Sequence, residues 1–239
     1  MSNQIPQQIE AQTDVGLRNF MLGTYRYMAM AMGVTAVVAY FIGQYLIANP
    51  EMIRLIANPI VAIGMFFGIM FVFGGVGSKL HSMSKGGVLT FLFGFAAVMG
   101  IFMSLVGVFY DPTIIAKIFF MTVALFAALS VFGHTTSRDL GTFVKYAFAA
   151  FLAYIAINIL GMVFPAFAPT GTLDMIITGV ALVAISVITA WETQMLKRLY
   201  YGYAGNTAML DKMSAFGAAS LLLAFINMFQ ILLSLFGRE

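Results

Sequence analysis

The chain holds nine carboxylates, and sorting them by position leaves one acid inside a long apolar run. Glu10, Asp14, Glu51, Asp139 and Glu239 fall in tails or loops. Asp111, Asp174 and Asp211 stand at expected helix starts, where a carboxylate accepts from free backbone N–H groups and complements the helix dipole. Glu192, in ITAWETQMLKR, is left about one turn from the end of its run. It can be read in two ways. Near the headgroups it is a snorkelling or ion-paired acid, with Lys197 or Lys79 as its partner. Buried, it is a carboxylate whose proton or cation occupancy changes how its helix packs, because desolvation disfavours a bare charge.

The other polar groups offer less chemistry. Asn227 and Gln230 lie inside the last apolar run, where lipid cannot satisfy an amide, and read as interhelical hydrogen-bond formers. Lys79 is either a positive anchor at the end of its helix or the ion partner of Glu192. His81 and His134 fall in expected loops, where solvation is the expected state, and two histidines are too few for a zinc site. Trp191, the single tryptophan, fits an interfacial belt or packing beside Glu192. The absence of cysteine excludes disulfides and thiol catalysis. No lysine stands mid-way in the last run to form a Schiff base, and no nucleophile–base pair shares a depth. An enzyme is not expected, and no cofactor is implied. The net charge of +3 is spread among loops rather than gathered in a patch, so nucleic acid is not an expected partner.

The elements that must position these groups are apolar helices. Residues are 62% hydrophobic and 9% charged, against about 25% charged in a soluble domain. Such a chain cannot cover a surface facing water, so its surroundings are a lipid bilayer. Seven runs, 27–47, 59–77, 87–109, 112–133, 142–164, 173–196 and 213–236, are each long enough to cross a hydrocarbon core of about 30 Å. Asn58-Pro59 and Asp111-Pro112 each place a cap before a proline at the first helical position. Gly64-x-x-x-Gly68 and the glycines up to Gly77 suggest a helix-contact face. The last run begins with Ser214, Ala215, Gly217, Ala218, Ala219 and Ser220, small enough for close approach on several sides, and it reads as the centre of a bundle. Residues 1–16 form a polar N-terminal tail without the layout of a signal peptide, and 17–239 form one seven-helix domain. The expected architecture is all-α, with six membrane helices around a central C-terminal one. Arg18, Arg26, Lys79, Lys85, Arg138, Lys145, Lys197, Arg198 and Lys212 fall on one side, and only Arg54, Lys117 and Arg238 on the other. That asymmetry puts the N-terminus in the cytoplasm and the C-terminus outside.

Four segments resemble the transmembrane Bax inhibitor motif family in its bacterial branch. ASLLLAFINMFQILLSLFG is similar to the family's closing signature, a leucine-rich run before an Asp-Phe-Ile-Asn core. AWETQMLKRLY is similar to the end of its sixth helix, usually Tyr-Asp-Thr-Gln before a basic residue. VFGHTTSRDL resembles the end of the fourth helix with its loop, and GLRNFMLGTYRYMAM the start of the first. The resemblance covers nearly the whole chain.

It implies seven helices with the last enclosed by the other six. In bacterial relatives two aspartates, in helices six and seven, share a proton, an arginine of helix two engages them, and their titration gates a slow calcium leak. The resemblance puts Glu192 at the first aspartate, Ala224 at the second and Lys79 at the arginine. Lysine lacks the planar fork that holds two carboxylates. Ala224 removes the second carboxylate, so no shared-proton pair can form, and a calcium ion loses an anionic ligand. The expected site is therefore Glu192, Lys79, Ala224 and Asn227, with Glu192 as the calcium ligand. The expected function is a pH-modulated calcium or cation leak with a degenerate carboxylate gate, in a bacterial inner membrane. The alternative is a non-conducting regulator of a membrane-bound protease or a stress response.

Overall fold

The structure is a computed structural model that describes residues 4–237, with side chains from Val15 to Gly237. Arg238 and Glu239, and the side chains of Glu10 and Asp14, lie outside the described residues. The helices are α1 (Gln4–Ala48), α2 (Pro50–Ile56), α3 (Pro59–Lys79), α4 (Lys85–Phe109), α5 (Pro112–Thr135), α6 (Gly141–Val163), α7 (Gly171–Gly202) and α8 (Thr207–Phe236), with a 3-10 turn at Pro165–Phe167. Seven of them are long and apolar enough to span a membrane.

Local chemistry sets the boundaries. The Ile60 N–H donates to the Asn58 side chain (2.8 Å) and the Thr113 N–H to Asp111 (2.7 Å), so both cap-plus-proline devices start helices as expected. Ser84 and Asn206 cap α4 and α8 in the same way. Gly205, at φ +94°, makes the turn into α8 in a conformation that favours glycine. Three boundaries differ from the sequence reading. The segment expected as a separate polar tail is helical from Gln4 and continuous with the first span. The short helix α2 begins at Pro50, after Asn49, and the sequence reading did not include it. α7 runs on through Lys197 and Arg198 to Gly202, so these cations stand on a helix rather than in a loop.

α8 is the centre. It buries 61% of its apolar window, against 39% in α7 and less in every other span. Ala215, Ala218 and Ala219 are fully buried. A Cβ at Gly217 would collide with Leu196, so this glycine is what lets α7 approach. Thr24 of α1 donates to Ser214 at 3.1 Å, and Phe225 packs edge-on against Phe119 and Phe126 of α5. α1, α4, α5 and α7 pack directly on α8. α3 and α6 complete the ring across a cavity of about 240 Å3 lined by Phe66, Tyr154, Asn158, Asn227 and Gln230.

The glycine face of α3 is not the contact surface that its spacing suggests. Nothing lies within 4 Å of a Cβ built at Gly64, Gly68, Gly74 or Gly75, and α3 has no buried residue. Its inward contacts are aromatic instead: Phe73 meets Phe91 and Phe95 edge-on, with centroids 5.1 and 5.0 Å apart. The close glycine crossings are elsewhere, at Gly100 against Thr35 and Val38 of α1 and at Gly133 against the Ala190 carbonyl of α7.

These crossings predict opposite outcomes for one chemical change. Gly133→Ala drives a methyl into the Ala190 backbone and should destabilise by about 1–3 kcal/mol, as overpacking does. Gly68→Ala meets open space and should leave the unfolding midpoint in detergent unchanged or slightly raised. Equal midpoints for the two variants would contradict this packing.

Candidate functional site

The candidate site is built on the last turns of α7 where they cross the small-residue half of α8. Glu192 is half-buried there. Its Oε1 accepts a hydrogen bond of 2.7 Å from the Ser220 hydroxyl of α8. Its Oε2 is buried and has no hydrogen-bond partner. The carboxylate faces a cavity of about 90 Å3 walled by Trp191, Met195, Leu196, Leu199, Phe216 and Gly217. Trp191 turns its edge to Phe148, so it packs beside Glu192 and closes the α6 side. A bare charge in such walls is costly, and the free oxygen has room for one small partner, a proton, a water or a cation.

The structure does not bring the other expected residues to this carboxylate. Lys79 is exposed at the end of α3 and forms no ion pair with Glu192; the ion pairs among the described residues are Lys85–Asp211 and Arg198–Asp139, both 2.8 Å. The physical reason is the ring of Phe216. It lines the Glu192 cavity and also lies 3.4 Å from a Cβ built at Gly77, filling the place beneath the end of α3. Ala224 is buried, one turn beyond Ser220 on α8, so the position that the resemblance set against a second carboxylate is enclosed. Of the two amides expected to bond between helices, only Gln230 does so, and weakly. Asn227 faces the 240 Å3 cavity, and Gln230 reaches only the Met103 sulfur at 4.0 Å. Asp211 is no helix cap: Asn206 caps α8, and Asp211 pairs with Lys85. His134 is not solvated in a loop; it closes the last turn of α5, with Nδ1 buried and unpartnered. Among the described residues no three of His, Asp and Glu come together to hold a metal ion. One carboxylate and one hydroxyl are too few for resident calcium, which takes about six to eight oxygens.

Sequence reasoning missed two residues. Ser220 appeared only as a small residue, although it is the partner of Glu192. Gln194, 6% exposed, is a clamp. Its Nε2 donates to the Arg138 carbonyl at 2.8 Å, and its Oε1 accepts from the Leu140 N–H at 3.1 Å. Arg198 adds its pair to Asp139, and Lys197 donates to the His134 carbonyl at 3.1 Å. The Gly141 N–H, and after it Arg198, hold the Asp139 carboxyl below its ordinary value of 3.8. Its contribution is thus complete above that value and is lost as the pH falls through the lowered one. The ETQ and SRDL motifs, separate in sequence, are two halves of one clamp. A signal was present: a glutamine two residues after the acid that the sequence places inside an apolar run.

Residues 17–239 match the family described as inhibitor of apoptosis-promoting Bax1. Among curated proteins, the chain is 29% identical over 235 residues to the uncharacterized protein RP147 of Rickettsia prowazekii, covering 95% of this chain and 92% of that one. It is 29% identical over 230 residues to the inner membrane protein YbhL of Escherichia coli strain K12, covering 95% of each. An uncharacterized membrane protein of Streptococcus pyogenes serotype M3 is 29% identical over 232 residues, covering 97% of each.

Gln194→Leu keeps the bulk of the side chain but strands the Leu140 N–H and the Arg138 carbonyl. It should lower stability by about 1–3 kcal/mol, the cost of leaving buried polar groups unpaired. Arg198→Gln, which removes an exposed pair to Asp139 and a long 3.3 Å hydrogen bond to Gln194 Oε1 but leaves the bonds to Leu140 and Arg138 in place, should cost clearly less. Thermal unfolding of the three proteins side by side checks the order.

Proposed function

We propose a function from one premise, that this chain belongs to the Bax inhibitor family across residues 17–239. It is a multi-pass protein of a bacterial inner membrane that passes calcium or a similar cation slowly, under control of pH, through a gate with a single carboxylate. The observation that carries this reading is the buried, unpartnered Oε2 of Glu192. The excess of Lys and Arg that the sequence gathers in the loops on the side of Glu192 supports a carboxylate facing the cytoplasm and a C-terminus outside.

The residues divide the work as follows. Ser220 holds one carboxylate oxygen against α8 and so ties α7 to the central helix. The other oxygen decides the state of the crossing. With a proton on the carboxyl, the group is neutral and the apolar cavity stays closed around it. With the proton gone, the charge needs water or a cation, and satisfying it wets the seam between α7 and α8. Calcium is cargo here, keeping most of its own water and touching Glu192 in passing. Lys79 stays outside this gate as a charged anchor in the headgroup region. No step makes or breaks a covalent bond, so the reading is not of an enzyme.

Ala224 favours a second reading. Its position is enclosed and uncharged, which removes half of the family's carboxylate pair. On this reading the chain does not conduct and regulates a membrane partner such as a membrane-bound protease.

Calcium flux in proteoliposomes on either side of neutral pH separates the two. The expected result is a leak in the wild type that changes with pH, and a Glu192→Gln leak that is flat with pH and held at the closed level. A wild-type pH profile retained in Glu192→Gln would move the gate elsewhere. Vesicles that are tight at every pH with wild type, and leak only with Ala224→Asp, would leave the regulator reading in front.

A further inference from the structure

Between the start of α1 and the end of α5 lies a crevice of about 580 Å3, within the size range of small-ligand sites at about 300–1,000 Å3. α1 packs chiefly on α4 and α8, and α5 on α7 and α8, so the two walls touch each other little and the crevice opens sideways. Leu17, Met21 and Leu22 form one wall, and Phe126 and Ala127 the other. The wall from Phe126 to His134 covers about 12 Å of helix, room for a segment of acyl chain.

The polar end of the crevice is unfinished. Ser130 Oγ and His134 Nδ1, one turn apart on α5, both line it, and both are buried without a hydrogen-bond partner. Ser130 is 6% exposed. Other hydroxyls of this helix are satisfied by the preceding turn: Thr122 donates to the Ile118 carbonyl and Thr135 to the Val131 carbonyl, each at 2.8 Å. Ser130 does not use that route. Buried polar atoms are normally paired, and a pair of orphans on one wall marks a missing partner. Arg18 lines the same end and forms no ion pair among the described residues. Lys197 adds a second cation at the end of α5 through its bond to the His134 carbonyl. Among the described residues no carboxylate lines the crevice.

We propose that this crevice is a binding site for an anionic phospholipid, with its phosphate between Arg18, the Ser130 hydroxyl and the His134 ring and one acyl chain along the α1–α5 walls. The site lies at the basic end of the bundle, where lipid headgroups meet the helix ends. It involves neither Glu192 nor the flux, so it stands or falls apart from the proposed function.

Native mass spectrometry of the full chain in detergent tests the site, with phosphatidylglycerol and phosphatidylcholine of the same acyl chains as probes. The wild type should retain phosphatidylglycerol over phosphatidylcholine. Arg18→Gln should reduce retained phosphatidylglycerol about tenfold, the loss of one charge-assisted hydrogen bond. Ala127→Trp, which fills the apolar wall and leaves every charge in place, should reduce it as well, and it carries the test if Arg18→Gln does not fold. Arg54→Gln, at the opposite end, should change nothing. Equal retention of the two lipids, wild-type retention in the Arg18 or Ala127 variants, or an equal loss with Arg54→Gln would each overturn the proposal.

Discussion

Close approach to α8 is the constraint on which the rest of the molecule depends. Lipid tails are as apolar as leucine, so helices in a bilayer gain little from hiding hydrophobic surface. They associate by van der Waals contact at short range and by hydrogen bonds that lipid cannot replace. Alanines without exposure along α8 and Gly217 under Leu196 supply the short range. The hydrogen bonds land on the same stretch, Thr24 on Ser214 and Ser220 on Glu192. Packing and site are therefore one problem. Glu192 reaches Ser220 because Gly217, three residues earlier, has no side chain to hold α7 away.

The bundle is not equally tight along its length. At the basic end, Gln194, Lys197 and Arg198 fasten the α5–α6 loop, Lys85 pairs with Asp211, and Lys212 donates to the His81 and Met83 carbonyls. Toward the other end, α3 and α6 stand off α8 across a cavity where Asn158 bonds back within α6 and Gln230 reaches α4 only through the Met103 sulfur at 4.0 Å. Local opening concentrates where buried contacts are few. α3, with no buried residue and an unpacked glycine face, is the most weakly held span.

The fold was legible in the sequence because membrane spans obey one strong rule, length against hydrocarbon thickness, and caps with prolines mark their ends. The centrality of α8 was legible too, from its small residues. The helical continuation from Gln4 and the extension of α7 were not, because both are polar segments in which hydropathy carries no signal. The α3 glycines misled for a different reason: spacing tells which residues share a face and not what faces them. At the site, Glu192 stood out by elimination. Its partner did not, since Ser220 belongs to a run of small residues where a hydroxyl and a methyl read alike.

The separation of Lys79 from Glu192 fits a site that holds a single carboxylate. A lone buried acid drawn to a lysine makes a desolvated ion pair, in which the cost of stripping two ions competes with their attraction. Two acids sharing a site would justify an extended cation, because each stripped charge would meet more than one counter-charge. With an alanine, Ala224, one turn beyond Ser220, one neutral hydroxyl suffices for one oxygen of Glu192, and the lysine is better left in water. Phe216 can then occupy the space below the end of α3, stacked with Phe91 and leaning on Phe73. The aromatic filling, the exposed lysine and the buried alanine all belong to a crossing built around one carboxylate.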